Sequence, residues 1–168
     1  MSKEFAACAG NGPTPSARQD ALQLLGWGGA MRTVQHLIAA VSDTDVAVLI
    51  RGERGTGKDL VARAIHESSA RRSRTFVKVN CATLPAELLE LELFGCERGA
   101  HSGAIQQKPG KLEFAHEGTM FLDGVGEVDR CLQAKLLQIL QDGQFARLGG
   151  RREVRVNARI IAATDSDL

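Results

Sequence analysis

The sequence predicts an α/β fold in which helices flank a parallel sheet. Continuous apolar runs of strand length alternate along the chain with helix-length segments that carry one apolar face. Such runs are typical of parallel strands buried on both faces, and their alternation with helices favours parallel pairing. Residues with distinctive chemistry follow these runs, at the carboxyl ends of strands, where ligands of such sheets bind. We therefore expect one α/β domain with its site at that edge of the sheet.

Composition and charge exclude several classes of protein. The 168 residues suffice for one domain with a hydrophobic core, and 43% of them are hydrophobic and 24% charged. A formal net charge of +1 gives no global field that would attract nucleic acid or an anionic membrane. No apolar run approaches the roughly 18 residues of a membrane span, and the first residues lack a signal-peptide core. The scattered cysteines predict reduced thiols in a cytoplasmic protein: Cys8, Cys81, Cys96 and Cys131.

The first elements can be assigned in order. Residues 1–20 mix Gly, Pro, Ser and Ala without periodicity, so we expect a flexible leader there and a folded part over 21–168. An amphipathic helix follows, and its apolar face comprises Ala30, Met31, Val34, Leu37, Ile38 and Val41. Residues 45–52, DVAVLIRG, predict the first buried strand. A glycine-rich turn leads into a second helix, with four side chains expected inward: Leu60, Val61, Ala64 and Ile65.

The middle of the chain continues the alternation. Residues 75–80, TFVKVN, predict a second strand, and 85–95, PAELLELELFG, a short helix. Residues 97–110 are polar, glycine-rich and long for a connection, which indicates a functional loop. The third strand is predicted at 120–123, MFLD.

The last third supplies a helix, a hairpin and a strand. Residues 129–143 predict a helix that stops at Gly143, with Leu132, Leu136, Leu137 and Leu140 inward. Residues 145–156, FARLGGRREVRV, predict a hairpin that turns at Gly149 and Gly150. Residues 158–165, ARIIAATD, predict the fourth strand. We expect five arginines here to form a solvated face: Arg147, Arg151, Arg152, Arg155 and Arg159.

A glycine-rich loop, GERGTGKD at 52–59, lies between the first strand and the second helix. It matches the G-x-x-x-x-G-K part of a phosphate-binding P-loop. Glycines let backbone N–H groups converge on phosphate oxygens, the helix N-terminus adds positive potential, and Lys58 supplies a mobile charge. The residues expected to bind nucleotide are therefore Gly52, Glu53, Arg54, Gly55, Thr56, Gly57, Lys58 and Asp59.

Two carboxylates are candidates for holding Mg²⁺. Asp123 ends an apolar strand opposite the P-loop, where a carboxylate can order the metal through water. Asp59 stands where a general P-loop has a Ser or Thr ligand. Asp59 either ligates the metal, directly or through water, or is a first-turn acid favoured by the helix dipole.

Several motifs in order carry a resemblance that covers about 24–168. GERGTGKD resembles GESGTGKE, ELFGCERGAHSGA at 92–104 resembles ELFGHEKGAFTGA, and FVKVNCATLP, PGKLEFAHEGTMFLD and VRVNARIIAATDSDL continue in register. The chain thereby resembles the central AAA+ ATPase domain of bacterial sigma-54-dependent transcriptional activators, and not an unrelated P-loop kinase. The resemblance implies a P-loop NTPase fold that binds ATP and Mg²⁺. The family also carries an acid after the P-loop lysine, which accounts for Asp59.

The resemblance also implies partners. In that family, ATP hydrolysis in a ring moves a loop against sigma-54 RNA polymerase, which opens the promoter. That loop would be Gly99, Ala100, His101, Ser102, Gly103 and Ala104. His101 replaces an aromatic tip, Ser102 keeps a hydroxyl, and Asn80 would relay the state of the nucleotide to the loop. The family's arginine fingers, lid and DNA-binding domain are expected downstream of residue 168, so this chain is expected to make no DNA contact.

Two further departures from the family pattern predict weak hydrolysis. Gly124 stands where the family has its catalytic glutamate, and loss of a general base typically costs about 10²- to 10⁴-fold in rate. Glu127 is not expected to replace it, because the family has a glutamate there as well. Asp165 stands at the position that senses the terminal phosphate, where a carboxylate would repel it. We expect an ATP-binding regulatory module, or alternatively a non-catalytic subunit that joins rings of intact relatives, or the product of a degenerate gene fragment.

Overall fold

The computed structural model of the protein describes residues 29–100 and 106–165, and the leader expected at 1–20 lies outside them. The first elements are α1 (Gly29–Ser42), β1 (Val48–Arg51), α2 (Lys58–Glu67), β2 (Phe76–Asn80), α3 (Ala86–Phe94) and β3 (Gly95–Cys96). The later ones are β4 (Lys108–Pro109), the single-turn α4 (Lys111–Phe114), β5 (Thr119–Asp123), a 3₁₀ turn (Val125–Glu127), α5 (Arg130–Asp142), β6 (Gln144–Ala146), β7 (Glu153–Arg155) and β8 (Arg159–Thr164). The predicted strands and helices are thus confirmed.

The main sheet is parallel and has the strand order β1, β8, β5, β2. Its register places Asn80 of β2 opposite Asp123 of β5, and Asp123 opposite Ala163 of β8. Arg51, the last residue of β1, lies opposite Thr164. The carboxyl ends of the four strands therefore meet at one edge, as the sequence predicted. Among the described residues, β1 pairs with β8 alone and is an edge strand.

Each face of this sheet has its own hydrophobic core. On one face α1 and α2 pack against β5 and β8, with buried side chains Ile38, Ala62, Ala64, Ile65, Phe121, Ile161 and Ala163. On the other face α3, α4 and α5 pack over residues that include Val79, Leu89, Leu93, Leu112, Met120, Leu122, Leu132, Ile139 and Ile160. Since successive strand residues point to opposite faces, β5 and β8 contribute to both cores. Burial on both faces explains their continuous apolar sequences.

Several leucines predicted to point inward are exposed instead. The exposed fractions are 60% for Leu37 in α1, 47% for Leu60 in α2, and 55% and 46% for Leu137 and Leu140 in α5. Each helix packs on the sheet through a narrower stripe, which in α5 contains Leu132 and Ile139. Leu37 and Leu60 line a cavity beside the P-loop, whereas Leu137 and Leu140 border an apolar groove of about 270 Å³. Helical periodicity alone could not distinguish leucines that pack in the core from leucines that border a cavity or groove.

The expectation of a solvated arginine face is wrong for two of its five members. Arg159 is buried, because it starts the central strand β8 beneath the end of α1. Its guanidinium donates hydrogen bonds to the carbonyl oxygens of Val41 (2.6 Å) and Ser42 (3.1 Å), which ties α1 to the sheet. Arg147 is also largely buried, in ion pairs described below. The remaining three are exposed as predicted: Arg151, Arg152 and Arg155.

Two small antiparallel pairs complete the fold. Strands β3 and β4 pair at the base of the 97–110 loop, and β6 and β7 form the predicted hairpin across Gly149 and Gly150. The hairpin rests on the loop base, since Glu97 N–H donates to the carbonyl oxygen of Leu148 at 3.0 Å. Over residues 29–100 and 106–165, no helix is both long and apolar enough to cross a membrane.

Candidate functional site

The loop between β1 and α2 has the backbone that a phosphate cradle requires. Gly55 and Gly57 have φ angles of 83° and 85°, in the left-handed region that favours glycine. Gly57 caps α2, so the free N–H groups of the first helical turn open onto the loop. Thr56 Oγ1 donates to the carbonyl oxygen of Glu53 at 2.8 Å, which closes the turn. This geometry matches the P-loop that the sequence predicted.

Lys58 lies folded over this loop. Its Nζ donates hydrogen bonds to the carbonyl oxygens of Gly52 (2.7 Å) and Glu53 (2.9 Å). Both acceptors are neutral backbone groups. Because hydrogen bonds between charged partners are roughly twice as strong as neutral ones, a phosphate oxygen is a better acceptor for the same ammonium. The lysine is therefore placed to exchange loop carbonyls for phosphate.

A polar cavity of about 340 Å³ lies where the P-loop faces the ends of β2, β5 and β8. It brings together residues that are far apart in the sequence: Arg54, Gly55, Gly57, Lys58, Asp59, Asn80, Ala82, Asp123, Gly124, Glu127 and Asp165. Thus the candidate phosphate, metal, switch, base and sensor positions border one space. Glu127 also lines the cavity, although sequence reasoning gave it no part in the site.

The two candidate metal ligands share a cation that sequence reasoning missed. Lys78 Nζ, in β2, lies 3.1 Å from Asp59 Oδ1 and 3.6 Å from Asp123 Oδ2. Arg63 Nε, one turn along α2, lies 3.5 Å from Asp59 Oδ2. Asp59 Oδ1 is buried and has this ion pair but no hydrogen bond. Strand alternation could have suggested Lys78, since Asn80 two residues later points to the same face.

These carboxylates fit a magnesium ion that takes its other ligands from phosphate and water. Among the described ranges, no group of three or more His, Cys, Asp or Glu residues is arranged to hold a metal ion. Mg²⁺ in nucleotide sites needs only one or two protein carboxylates, because phosphate and water oxygens complete its shell. Asp59 Oδ1, a buried acceptor without a hydrogen bond, is an available oxygen of this type. Both readings of Asp59 stay compatible with the structure, since it also stands in the first turn of α2.

Gly124 leaves the wall of the cavity without a side chain. Its φ is 81°, its N–H donates to the carbonyl oxygen of Ala163 at 2.9 Å, and it begins the 3₁₀ turn. A Cβ built at this position would lie 3.3 Å from Ala82 Cβ. The left-handed conformation, more than lack of space, opposes a glutamate here. Asn80 Oδ1 accepts a hydrogen bond from Ala82 N–H at 3.0 Å, so its side chain is engaged next to Gly124.

The thiol of Cys81, directly after β2, is unreactive. Cys81 is buried beside Asp123, and its N–H donates to the Asp123 carbonyl oxygen at 2.7 Å. Burial, and secondarily the charge of Asp123, raises the pKa of Cys81 to about 12. Because the thiolate is the nucleophilic form, Cys81 offers no covalent chemistry to the site.

A second cavity, of about 620 Å³ and mainly apolar, lies between α1, β1 and α2. Leu37, Leu49 and Leu60 line it, which accounts for their exposure. It meets the polar cavity at the P-loop, because Gly57 and Lys58 line both. An apolar space joined to a phosphate cradle suits the flat, weakly polar base of a nucleotide.

The base of the 97–110 loop is tightly built. A Cβ on Gly95 would lie 2.2 Å from the carbonyl oxygen of Lys108, and one on Gly110 would lie 2.3 Å from that of Leu93. Two chain segments therefore cross here at a separation that only glycine allows. Of the candidate polymerase loop, the structure describes Gly99, with φ 82°, and Ala100. The other four members lie outside the described residues: His101, Ser102, Gly103 and Ala104.

Arg147 of the hairpin binds carboxylates on both sides of this loop. Its guanidinium donates two hydrogen bonds to Glu113, at 2.8 and 2.6 Å, and one to Glu97 at 2.8 Å. Glu113 in turn accepts the N–H of Gly110 at 3.1 Å. The hydrogen bonds from Arg147 lower the pKa of Glu113, and the two carboxylates raise the pKa of Arg147. One side chain thus links the hairpin to the start and the end of the loop.

Comparisons with known proteins agree with this site. The sigma-54 interaction domain family matches residues 24–168. The Nif-specific regulatory protein of Klebsiella pneumoniae is 52% identical over 155 residues, which cover 92% of this chain and 30% of that protein. Its counterpart in Azotobacter vinelandii is 54% identical over 138 residues, which cover 82% of this chain and 26% of that protein.

Solved structures give the same result. NtrX from Brucella abortus in complex with ADP superimposes with a TM-score of 0.78 at 42% identity, over 90% of this chain and 33% of that one. NtrX in complex with ATP gives a TM-score of 0.75 at 42% identity, over 84% and 32%. The chain spans about a third or less of the length of these relatives. With its parallel sheet, P-loop and 97–110 loop in the expected order, the chain belongs to the sigma-54 interaction domain family of AAA+ proteins.

Proposed function

We propose that this chain is the ATP-binding module of a sigma-54-dependent transcriptional regulator, and that it holds nucleotide with little hydrolysis. The observation that carries the proposal is the meeting of the two cavities at Gly57 and Lys58. The base and ribose would occupy the apolar cavity, and the phosphates the polar one. ATP and ADP, named for the NtrX structures, fit this division. The domain would comprise residues 21–168 after a leader at 1–20.

The proposed binding step uses residues that the fold already orients. Lys58 would exchange its two carbonyl partners for phosphate oxygens, and the N–H groups at the start of α2 would bind the same phosphates. Asp59 and Asp123 would hold Mg²⁺, directly or through water. When bound, Mg²⁺ neutralises phosphate charge and orients the phosphate chain.

The residues at positions 124 and 165 are the reason to expect weak hydrolysis. Gly124 offers no carboxylate for activating water, and the loss of such a base costs about 10²- to 10⁴-fold in rate. Asp165 lines the same cavity and would repel a terminal phosphate rather than stabilise it. The remaining carboxylate there is Glu127, which lies in the turn after Gly124.

The nucleotide state would reach the polymerase through the 97–110 loop. Asn80 stands at the end of β2, opposite Asp123, and α3 connects this region to the loop base. We propose that residues 99–104 contact sigma-54 RNA polymerase and that the intact protein forms a ring in the cytoplasm. The free thiols Cys81, Cys96 and Cys131 suit that reducing compartment. No DNA contact is proposed for this chain.

Gly124 favours a second candidate function. A subunit that binds ATP without hydrolysing it could enter rings of intact relatives and alter their output. Both candidates require nucleotide binding, and they differ in whether the polymerase responds to this chain or to its neighbours.

The test is to incubate the purified chain with Mg²⁺ and labelled ATP, reisolate the protein and identify the bound nucleotide by chromatography. We expect intact ATP, and none with Lys58→Ala. Accumulation of ADP that Lys58→Ala abolishes would show that another group activates water. Glu127→Gln and Asp165→Asn would then identify which carboxylate it is. Absence of any bound nucleotide in the unmodified chain would overturn the proposal.

A further inference from the structure

We propose that Lys78 is a counter-ion of the metal site, which pairs with Asp59 and Asp123 and sets the Mg²⁺ concentration that nucleotide binding requires. The ammonium lies within 3.6 Å of an oxygen of each carboxylate, and both carboxylates line the polar cavity. The inference rests on the proposed nucleotide site, and it assigns a role to a residue of β2 that the P-loop motif does not include.

The position of Lys78 in β2 directs its side chain towards Asp59 and Asp123. Its neighbours Val77 and Val79 pack in the core under α3 and α5, so alternation turns Lys78 to the opposite face, towards α2. There its Nζ lies 5.6 Å from the centre of the Phe121 ring, over which the lysine side chain extends. This aromatic contact favours the cation at its present position.

The charges require a cation at this point. Asp59 and Asp123 belong to different elements, α2 and β5, and both approach the same ammonium. Two carboxylates that approach the same point repel each other, and a positive charge between them reduces that repulsion. Arg63 pairs only with the far oxygen of Asp59, Oδ2. Lys78 is therefore the cation that the two carboxylates share among the described residues.

Mg²⁺ would enter in competition with this ammonium. A divalent ion that takes oxygens of both carboxylates occupies the region where Lys78 now neutralises them, and the two cations repel each other. Part of the binding free energy of the metal is therefore spent on moving Lys78 away. Asp59 Oδ1 lacks a hydrogen bond even with Lys78 present, so the ammonium satisfies the pair incompletely and is replaceable.

The experiment compares Lys78→Met, which keeps a similar stem over Phe121, with Lys78→Arg, which keeps the charge. Lys135→Met is the matched control, because it removes an ion pair with Glu90 that lies away from the cavity. Binding of a fluorescent ADP analogue is titrated with Mg²⁺. We expect the Mg²⁺ midpoint to fall about three- to tenfold in Lys78→Met and to stay unchanged in Lys78→Arg and Lys135→Met.

A second readout needs no nucleotide. Thermal unfolding is measured with and without Mg²⁺ alone, and Lys78→Met is expected to be less stable than the unmodified chain and to gain more from the metal. Should Lys78→Met fail to fold, Lys78→Gln replaces it. An equal Mg²⁺ midpoint, or an equal gain in melting temperature, overturns the role of Lys78 while nucleotide binding stands. If no variant binds the ADP analogue, the proposed function fails, and the nucleotide-free readout still decides the role of Lys78.

Discussion

The base of the 97–110 loop and the phosphate end of the sheet both gather charged side chains, but they hold them differently. Arg147 has a side chain 14% exposed and donates three short hydrogen bonds to two carboxylates. Lys78 is 36% exposed, lies 3.1 and 3.6 Å from its carboxylates, and leaves Asp59 Oδ1 without a hydrogen bond. An unsatisfied buried acceptor costs free energy. The charged groups at the loop base thus satisfy one another, whereas the phosphate end keeps an acceptor that a ligand can engage.

The largest expected effect is that of Gly110→Ala, at the base of the 97–110 loop, on the free energy of unfolding. The new Cβ would lie 2.3 Å from the carbonyl oxygen of Leu93, so the crossing segments must separate. We expect a loss of about 3 kcal/mol or more in the free energy of unfolding, measured with urea. Gly29→Ala is the control, because its Cβ meets nothing within 4 Å, and it should be neutral or slightly stabilising. Equal stability of both variants would contradict the tight crossing.

At the phosphate end, Lys58→Ala should weaken nucleotide binding far more than it weakens the fold. The ammonium bonds two carbonyl oxygens of a solvent-facing loop, so its loss leaves little unsatisfied in the fold. With nucleotide, the charge-assisted hydrogen bonds are lost, and we expect about 10- to 100-fold lower affinity by calorimetry. Urea unfolding should change little. A large loss of stability with unchanged affinity would reverse the contrast between the two regions.

At the loop base, Arg147→Met should destabilise the fold and leave nucleotide affinity unchanged. The substitution removes the cation that Glu113 and Glu97 share, and these side chains are 19% and 30% exposed. We expect a loss of about 2 kcal/mol in the free energy of unfolding. Because Arg147 lowers the pKa of Glu113, its stabilising effect is present above the ordinary carboxyl pKa of 4.5 and fades as pH falls below it. Urea unfolding across that range should give a flatter pH profile for the variant. An unchanged profile would assign the stabilisation elsewhere.

The smallest expected effect concerns His66, in the half that carries the P-loop. His66 is buried in α2, and its Nδ1 shares a hydrogen bond of 2.9 Å with Thr119 Oγ1. Burial lowers the pKa of His66 below 6.5, so the neutral ring stabilises the fold above that pH and the contribution is lost as pH falls. We expect lower stability at about pH 5.5 than at about pH 7.5. His66→Gln should reduce that difference, and a difference that persists would exclude His66 as its source.

These contrasts also show what the sequence could predict. The strands, the P-loop and the hairpin depend on local patterns, so they were predictable, as was the gathering of Lys58, Asp123 and Asp165 at strand ends. Arg159 could not be placed, because its burial depends on the end of α1, more than a hundred residues earlier. Strand alternation places Lys78 on the same face as Asn80, but its ion pair with Asp59 depends on how α2 packs near β2. Leu37 and Leu60 follow helical periodicity, yet they face a cavity, which periodicity cannot distinguish from a core.

The glycine crossing has a consequence for how this domain varies. Gly95 and Gly110 bring the two ends of the 97–110 loop into backbone contact. The chain therefore leaves the rest of the fold and returns to it at the same place. Changing the length or composition of a loop closed in this way alters its closure entropy only slowly and leaves its anchor points in place. Substitutions between Glu97 and Lys108 are therefore expected to leave the sheet in place. Sequence change in this segment is thereby separated from the integrity of the fold.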